Sequence, residues 1–93
     1  MDYKRKHVLI KGWVQGVFFR ATLQERAYDL EIAGWVRNKY DGSVEAVFEG
    51  ENENIEKIID WCHQGPRGAR VTQVLVKDEE YTGSFSDFSI KYR

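Results

Sequence analysis

Hydrophobic residues in this chain recur at two different periods, and the order in which those periods alternate constrains the fold more than any other feature. Val8, Ile10 and Val14 keep period two, which marks a strand with one buried face. The run Gln15-Gly16-Val17-Phe18-Phe19-Arg20 breaks the alternation around a central glycine. Leu23, Ala27 and Leu30 then repeat at spacings of four and three, so a helix follows, with Gln24, Glu25, Arg26 and Asp29 on its exposed face. A second strand covers about Gly34 to Asn38, and Lys39-Tyr40-Asp41-Gly42 reads as a hairpin turn in which Asp-Gly supplies the positive-φ residue. From Ser43 to Glu49 the chain alternates again, with Val44, Ala46 and Phe48 on one face and Glu45, Val47 and Glu49 on the other. Ile55, Ile58, Ile59 and Cys62 form a helical stripe, for which Asn52 or Asn54 is the expected cap. Gly65-Pro66-Arg67-Gly68 ends that helix. Val71 to Lys77 is a further strand, and Ser86 to Tyr92 presents Phe88, Ile90 and Tyr92 at period two.

The element order is therefore β-α-β-β-α-β, with the final β split or extended into a fifth strand. Two helices on one face of an antiparallel sheet make an α+β, ferredoxin-like sandwich. The 93 residues suit one domain spanning 1–93. With 42% hydrophobic and 14% aromatic residues, that domain packs a core without disulfides or a structural metal.

Charge narrows the function classes. Fourteen Lys plus Arg against 15 Asp plus Glu leave a net charge of −1, without the basic excess of a nucleic-acid partner. The strand Ser43 to Glu49 also lacks the basic and aromatic residues with which RNA-binding sheets of this fold stack bases. Val8-Leu9-Ile10 is too short for a signal-peptide core or a membrane span. A single cysteine, Cys62, fits a reducing compartment, so a cytoplasmic protein is expected, and a monomer is the default for so small a chain.

The fold hosts many activities, so function rests on local segments. In Gly12-Trp13-Val14-Gln15-Gly16-Val17-Phe18-Phe19-Arg20, a strand feeds a glycine-bearing loop that opens a helix. Successive backbone N–H groups in such a loop can cradle an anion, and the helix end adds partial positive charge. Arg20 can close over a phosphoryl group with its planar fork, or it can be a surface arginine after a plain β-α turn. Asn38 ends a strand just before the hairpin, where its amide can reach a neighbouring loop or simply help form the turn.

Together the two segments closely resemble the acylphosphatase family. The pattern Gly-x-Val-Gln-Gly-Val-x-Phe-Arg is matched by Gly12, Val14, Gln15, Gly16, Val17, Phe19 and Arg20. The pattern Gly-Trp-Val-x-Asn-x-x-Asp-Gly-x-Val-Glu is matched at Gly34, Trp35, Val36, Asn38, Asp41, Gly42, Val44 and Glu45. Gly65-Pro66, Ala69-Arg70-Val71 and Phe88-Ser89-Ile90 extend the likeness over almost the whole chain. The resemblance implies hydrolysis of the carboxyl–phosphate bond of acyl phosphates, without metal or cofactor, and inhibition by the inorganic phosphate released. It further implies that the backbone N–H groups of Gln15, Gly16, Val17, Phe18, Phe19 and Arg20, with the Arg20 guanidinium, bind the phosphoryl oxygens. By the same likeness, Asn38 orients the attacking water. The alternative is a non-catalytic phosphate-binding or interaction module of the same fold. One departure stands out: Leu30-Glu31-Ile32 places Glu31 where the family usually has a glycine that caps the helix in a left-handed conformation. Glu31 either adopts that conformation at a cost of roughly 1–2 kcal/mol or ends the helix differently.

The other chemical side chains read as structural. Cys62 and Arg67 are separated by four residues rather than the five of cysteine phosphatase loops, and Cys62 lies on an apolar stripe. His7 and His63 have no Cys or carboxylate at metal-ligand spacing. Glu51 and Glu53 flank a helix start, Glu79 and Glu80 belong to a solvated loop, and Trp13, Trp35 and Trp61 serve packing, with Trp13 or Trp35 able to lie on the open sheet face.

Overall fold

A computed structural model describes residues 2–92; Met1 and Arg93, at the ends of the expected 1–93 domain, lie outside the described residues. The elements are β1 (Tyr3–Trp13), α1 (Phe19–Asp29), β2 (Ala33–Asn38), β3 (Val44–Glu51), α2 (Asn52–Gln64), β4 (Arg70–Glu79) and β5 (Phe88–Lys91). They build a five-stranded sheet in the order β4-β1-β3-β2-β5. The α+β sandwich is the expected one, and the fifth strand is real. The expectation of a wholly antiparallel sheet needs correction, because β5 runs parallel to β2. After β4 the chain crosses to the opposite edge of the sheet before it pairs, and so arrives in the direction of β2.

Alternation along the strands decides which face is buried. Val8 and Ile10 of β1, Val36 of β2, and Val44, Ala46 and Phe48 of β3 are all fully buried. They meet Phe19, Leu23 and Ala27 from α1 and Ile55, Ile58 and Cys62 from α2 in one core. The stripe read from α2 is therefore its buried face, with Ile59 partly covered. Burial pushes the Cys62 thiol pKa well above its ordinary value, which leaves it a packing residue. Trp61 packs its ring 5.2 Å from that of Phe19. Gly34 is where the sheet demands glycine: at φ 136, a Cβ there would stand 1.9 Å from the Val47 carbonyl oxygen.

The opposite face is polar and partly covered. Glu45 accepts hydrogen bonds from Arg37 Nε at 2.5 Å and faces His7 Nε2 at 2.6 Å. His7 thus does have a carboxylate neighbour, brought to it across the sheet. Glu49 is only 3% exposed and accepts from Thr82 N–H, the Thr82 hydroxyl, Gly83 N–H and Arg5. The segment between β4 and β5 therefore lies over this face. Glu79 is not in a solvated loop: β4 extends through it, and it accepts from Arg5 Nε at 2.8 Å.

Three local expectations are corrected or settled. Neither Asn52 nor Asn54 caps α2; β3 runs straight into the helix, so Glu51, held in register with Tyr3, occupies the cap position without a side-chain bond. Glu31 adopts the left-handed conformation at φ 55. Around it the Glu31 N–H donates to the Tyr28 carbonyl and the Ile32 N–H to that of Ala27, which closes α1 in a Schellman motif. Trp13 is 74% exposed rather than packed, since its neighbour Val14 turns inward and strand geometry sends Trp13 out.

Candidate active site

The ends of β1, β2 and β5 and the start of α1 converge at one edge of the sheet, and there a cavity of about 130 Å³ opens. Gly16, Phe18, Phe19 and Arg20 line it from the loop and helix start, Asn38 from the end of β2, and Tyr92 from beyond β5. Gln15 and Val17 belong to the same loop without lining the cavity; Val17 packs partly against the core instead. The two separate sequence segments are thus brought together, with Arg20 and Asn38 facing one space.

The loop has the backbone geometry of an anion seat. Gly16 takes φ 74 and Phe18 φ 61, so left-handed residues alternate with their neighbours, the backbone pattern in which successive N–H groups can face one side. Nothing lies within 4 Å of a Cβ placed on Gly16, so its conformation, and not lack of room, requires glycine. Phe18 has no such freedom and bears a local strain of about 1–2 kcal/mol. It is the N-cap of α1, and the first helical hydrogen bond runs from Thr22 N–H to its carbonyl at 3.0 Å. The N–H groups of Phe19, Arg20 and Ala21 precede that bond and have no intrahelical acceptor. The helix dipole adds positive potential at the same point. No acidic residue occupies the first turn of α1 to compete with an incoming anion.

Arg20 is half-buried on the first turn of α1. Its guanidinium carbon lies 5.1 Å from the Tyr92 ring centroid, and among the described residues no carboxylate pairs with it. Its donors are consequently available to a ligand. Asn38 pairs with Val44 across the hairpin as the last residue of β2, and no protein group among the described residues hydrogen-bonds its side-chain amide.

The hairpin next to Asn38 is tightly closed. Lys39 N–H donates to the Ser43 carbonyl at 2.9 Å, and Gly42 N–H to that of Lys39 at 3.2 Å. Asp41 Oδ1 accepts from both the Ser43 N–H and hydroxyl, at 3.0 and 2.5 Å, and these bonds hold its carboxyl below the usual carboxylate range. Two contributors escape a reading of the sequence. Tyr92 reads there only as a period-two strand residue, and the Gln15 side chain, which donates to the Lys39 and Ser43 carbonyls, has no sequence signal beyond its place in the motif.

Other chemical groups lie elsewhere. His63 is exposed at the end of α2. Among the described residues no group of three or more His, Cys, Asp or Glu is arranged to hold a metal, and no helix is long and apolar enough to cross a membrane. A larger depression of about 770 Å³ runs beside α1 past Gln24, Tyr28, Ile32 and Phe88. It contains neither Arg20 nor Asn38 and lies outside the loop, so converging donors, and not size, single out the smaller cavity.

Comparison with known proteins identifies the family. The Acylphosphatase family model matches residues 6–90. An acylphosphatase of Pelotomaculum thermopropionicum is 48% identical over 99% of this chain and 100% of its own length. Among solved structures, an acylphosphatase from Coxiella burnetii superposes with a TM-score of 0.92 at 36% identity, covering 97% of this chain and 94% of that one. The acylphosphatase from Bacillus subtilis gives 0.91 at 32% identity, over 95% and 98% of the two chains.

Proposed function

We propose how this chain, which belongs to the acylphosphatase family and hydrolyses acyl phosphates, uses its residues to do so. The phosphoryl oxygens sit in the loop, held by backbone N–H groups of Gln15, Gly16, Val17, Phe18, Phe19 and Arg20 and by the fork of the Arg20 guanidinium. The Asn38 amide holds a water opposite the acyl oxygen. Water attacks phosphorus, the bond from phosphorus to the acyl oxygen breaks, and the carboxylate leaves with that electron pair. The water's proton passes to a phosphoryl oxygen, so the products are a carboxylate and dihydrogen phosphate. Because the leaving group is good, positioning and charge stabilisation are enough, and no strong general base is needed.

The observation that carries this assignment is the shared cavity: Arg20 and Asn38, from different elements, line the same space as the loop. The products predict inhibition by inorganic phosphate, which keeps the same N–H and guanidinium partners. We assign the activity to a monomer in which one domain, 1–93, suffices, acting in the cytoplasm, where the single buried Cys62 is at home. The test of the phosphate seat is Arg20→Lys, which keeps the charge and loses the planar fork. The inhibition constant for phosphate is expected to rise about tenfold or more, the scale of one charge-assisted hydrogen bond. An unchanged constant would contradict the assignment.

A further inference from the structure

We propose that the Gln15 side chain is a positioning residue that ties the phosphate loop to the Asn38 hairpin and so fixes the attacking water relative to phosphorus. This rests on the assignment of Asn38 made above and adds to it a part the backbone role of Gln15 does not cover. The Gln15 Nε2 group donates to the Lys39 carbonyl at 2.7 Å and to the Ser43 carbonyl at 2.9 Å. A carboxamide nitrogen has two hydrogens, and both are engaged here.

The two acceptors are the residues that close the hairpin. Lys39 follows Asn38 directly, and Ser43 precedes Val44, the cross-strand partner of Asn38. Gln15 therefore holds both sides of the hairpin at the point where Asn38 leaves the sheet. Among the described residues no backbone–backbone hydrogen bond of the turns and loops joins residues 14–18 to residues 39–43. The hairpin tip, by contrast, projects outward, with Tyr40 90% exposed. The sheet joins these two halves of the site through Val44, which pairs with both Ile10 and Asn38, and the Gln15 side chain adds a direct tie beyond the last ladder pair. Positioning of this kind matters because a displacement of about 1 Å in a reacting group can cost on the order of 10²-fold in rate.

Side-chain chemistry makes the role specific. Methionine matches glutamine in length and has no donor, so Gln15→Met cuts both bonds while keeping the volume. Gln15→Glu places a carboxylate against two carbonyl oxygens and regains one O–H donor only when protonated.

The experiment is a double-mutant cycle with benzoyl phosphate as substrate, using wild type, Gln15→Met, Asn38→Ala and the double variant, each verified as folded at the assay temperature. Gln15→Met is expected to lower kcat about 10- to 100-fold while the inhibition constant for inorganic phosphate changes less than about threefold. In the Asn38→Ala background the same substitution is expected to cost less than about threefold, because a residue that acts through Asn38 has nothing left to position. Gln15→Glu supplies a second reading: its kcat, relative to wild type, is expected to recover as the pH falls and the introduced carboxyl takes up its proton. Equal losses in both backgrounds, no loss from Gln15→Met, or a loss confined to phosphate affinity would each overturn the proposal. Near-normal turnover by Asn38→Ala itself would instead remove the reading on which it rests.

Discussion

The Arg20 guanidinium stands 5.1 Å from the Tyr92 ring at the mouth of the cavity that Asn38 also lines. Tyr92 is 78% exposed, so its ring contributes little to the core and acts chiefly on the arginine. An exposed cation–π contact is worth about 0.5–1 kcal/mol. Tyr92→Ala is therefore expected to raise both KM and the inhibition constant for phosphate about two- to fivefold, with a smaller change in kcat. Phosphate inhibition of benzoyl phosphate hydrolysis checks this, and identical constants would show that Arg20 holds its place without the ring.

Glu31 carries strain that glycine would not. At φ 55 it occupies the Schellman position of α1, where a side chain costs roughly 1–2 kcal/mol. Glycine also gains freedom in the unfolded chain, which offsets about 0.4–1 kcal/mol of that relief. Glu31→Gly is expected to stabilise the protein by about 0.5–1 kcal/mol in urea unfolding and to leave turnover unchanged, since Glu31 lies outside the site. A lowered unfolding midpoint would show that strain at this cap is not relieved by glycine.

Glu49 makes stability depend on acid. Burial alone would raise its pKa, but the Thr82 N–H and hydroxyl, Arg5 and the Gly83 N–H outweigh burial and hold it below the usual carboxylate value. A carboxyl depressed in the folded state contributes stability above its unfolded pKa of about 4.3, and that contribution disappears as the pH falls through the lower folded value. Glu49→Gln is expected to cost about 2–3 kcal/mol near neutral pH, the scale of hydrogen bonds to a buried charge. The gap between wild type and variant should shrink steadily from about pH 5 downward. A gap that stays constant to about pH 2 would mean that the carboxylate charge is not what these donors recognise.

The element order and the buried stripes follow from hydrophobic period, because Val8, Ile10, Val44, Ala46 and Phe48 must face Leu23, Ile55 and Ile58 to leave water. Arg20 and Asn38 stand out for a different reason: each sits in a long motif that resembles the acylphosphatase family, and the fold brings both to one cavity. What stayed hidden depends on contacts between distant residues. Nothing near Glu49 in the chain announces that Thr82 and Gly83 will fold back over it. Nor does local pattern foretell that β5 will seek the β2 edge, since an edge strand of four residues leaves a weak signal. The missed cap of α2 has a similar origin: capping preference is local, whereas the register between β1 and β3 determined where the helix could begin. The motif implies a backbone role for Gln15, and only the folded hairpin gives its side chain two acceptors.

The most direct test of the mechanism is the rate of benzoyl phosphate hydrolysis by wild type and Asn38→Ala, in EDTA and with folding verified for both. Wild type is expected to turn over rapidly with inhibition by phosphate, and kcat for Asn38→Ala to be lower by about 10²–10³-fold, the scale for losing one polar group that acts in the transition state. Near-normal turnover from a folded Asn38→Ala protein would contradict the mechanism.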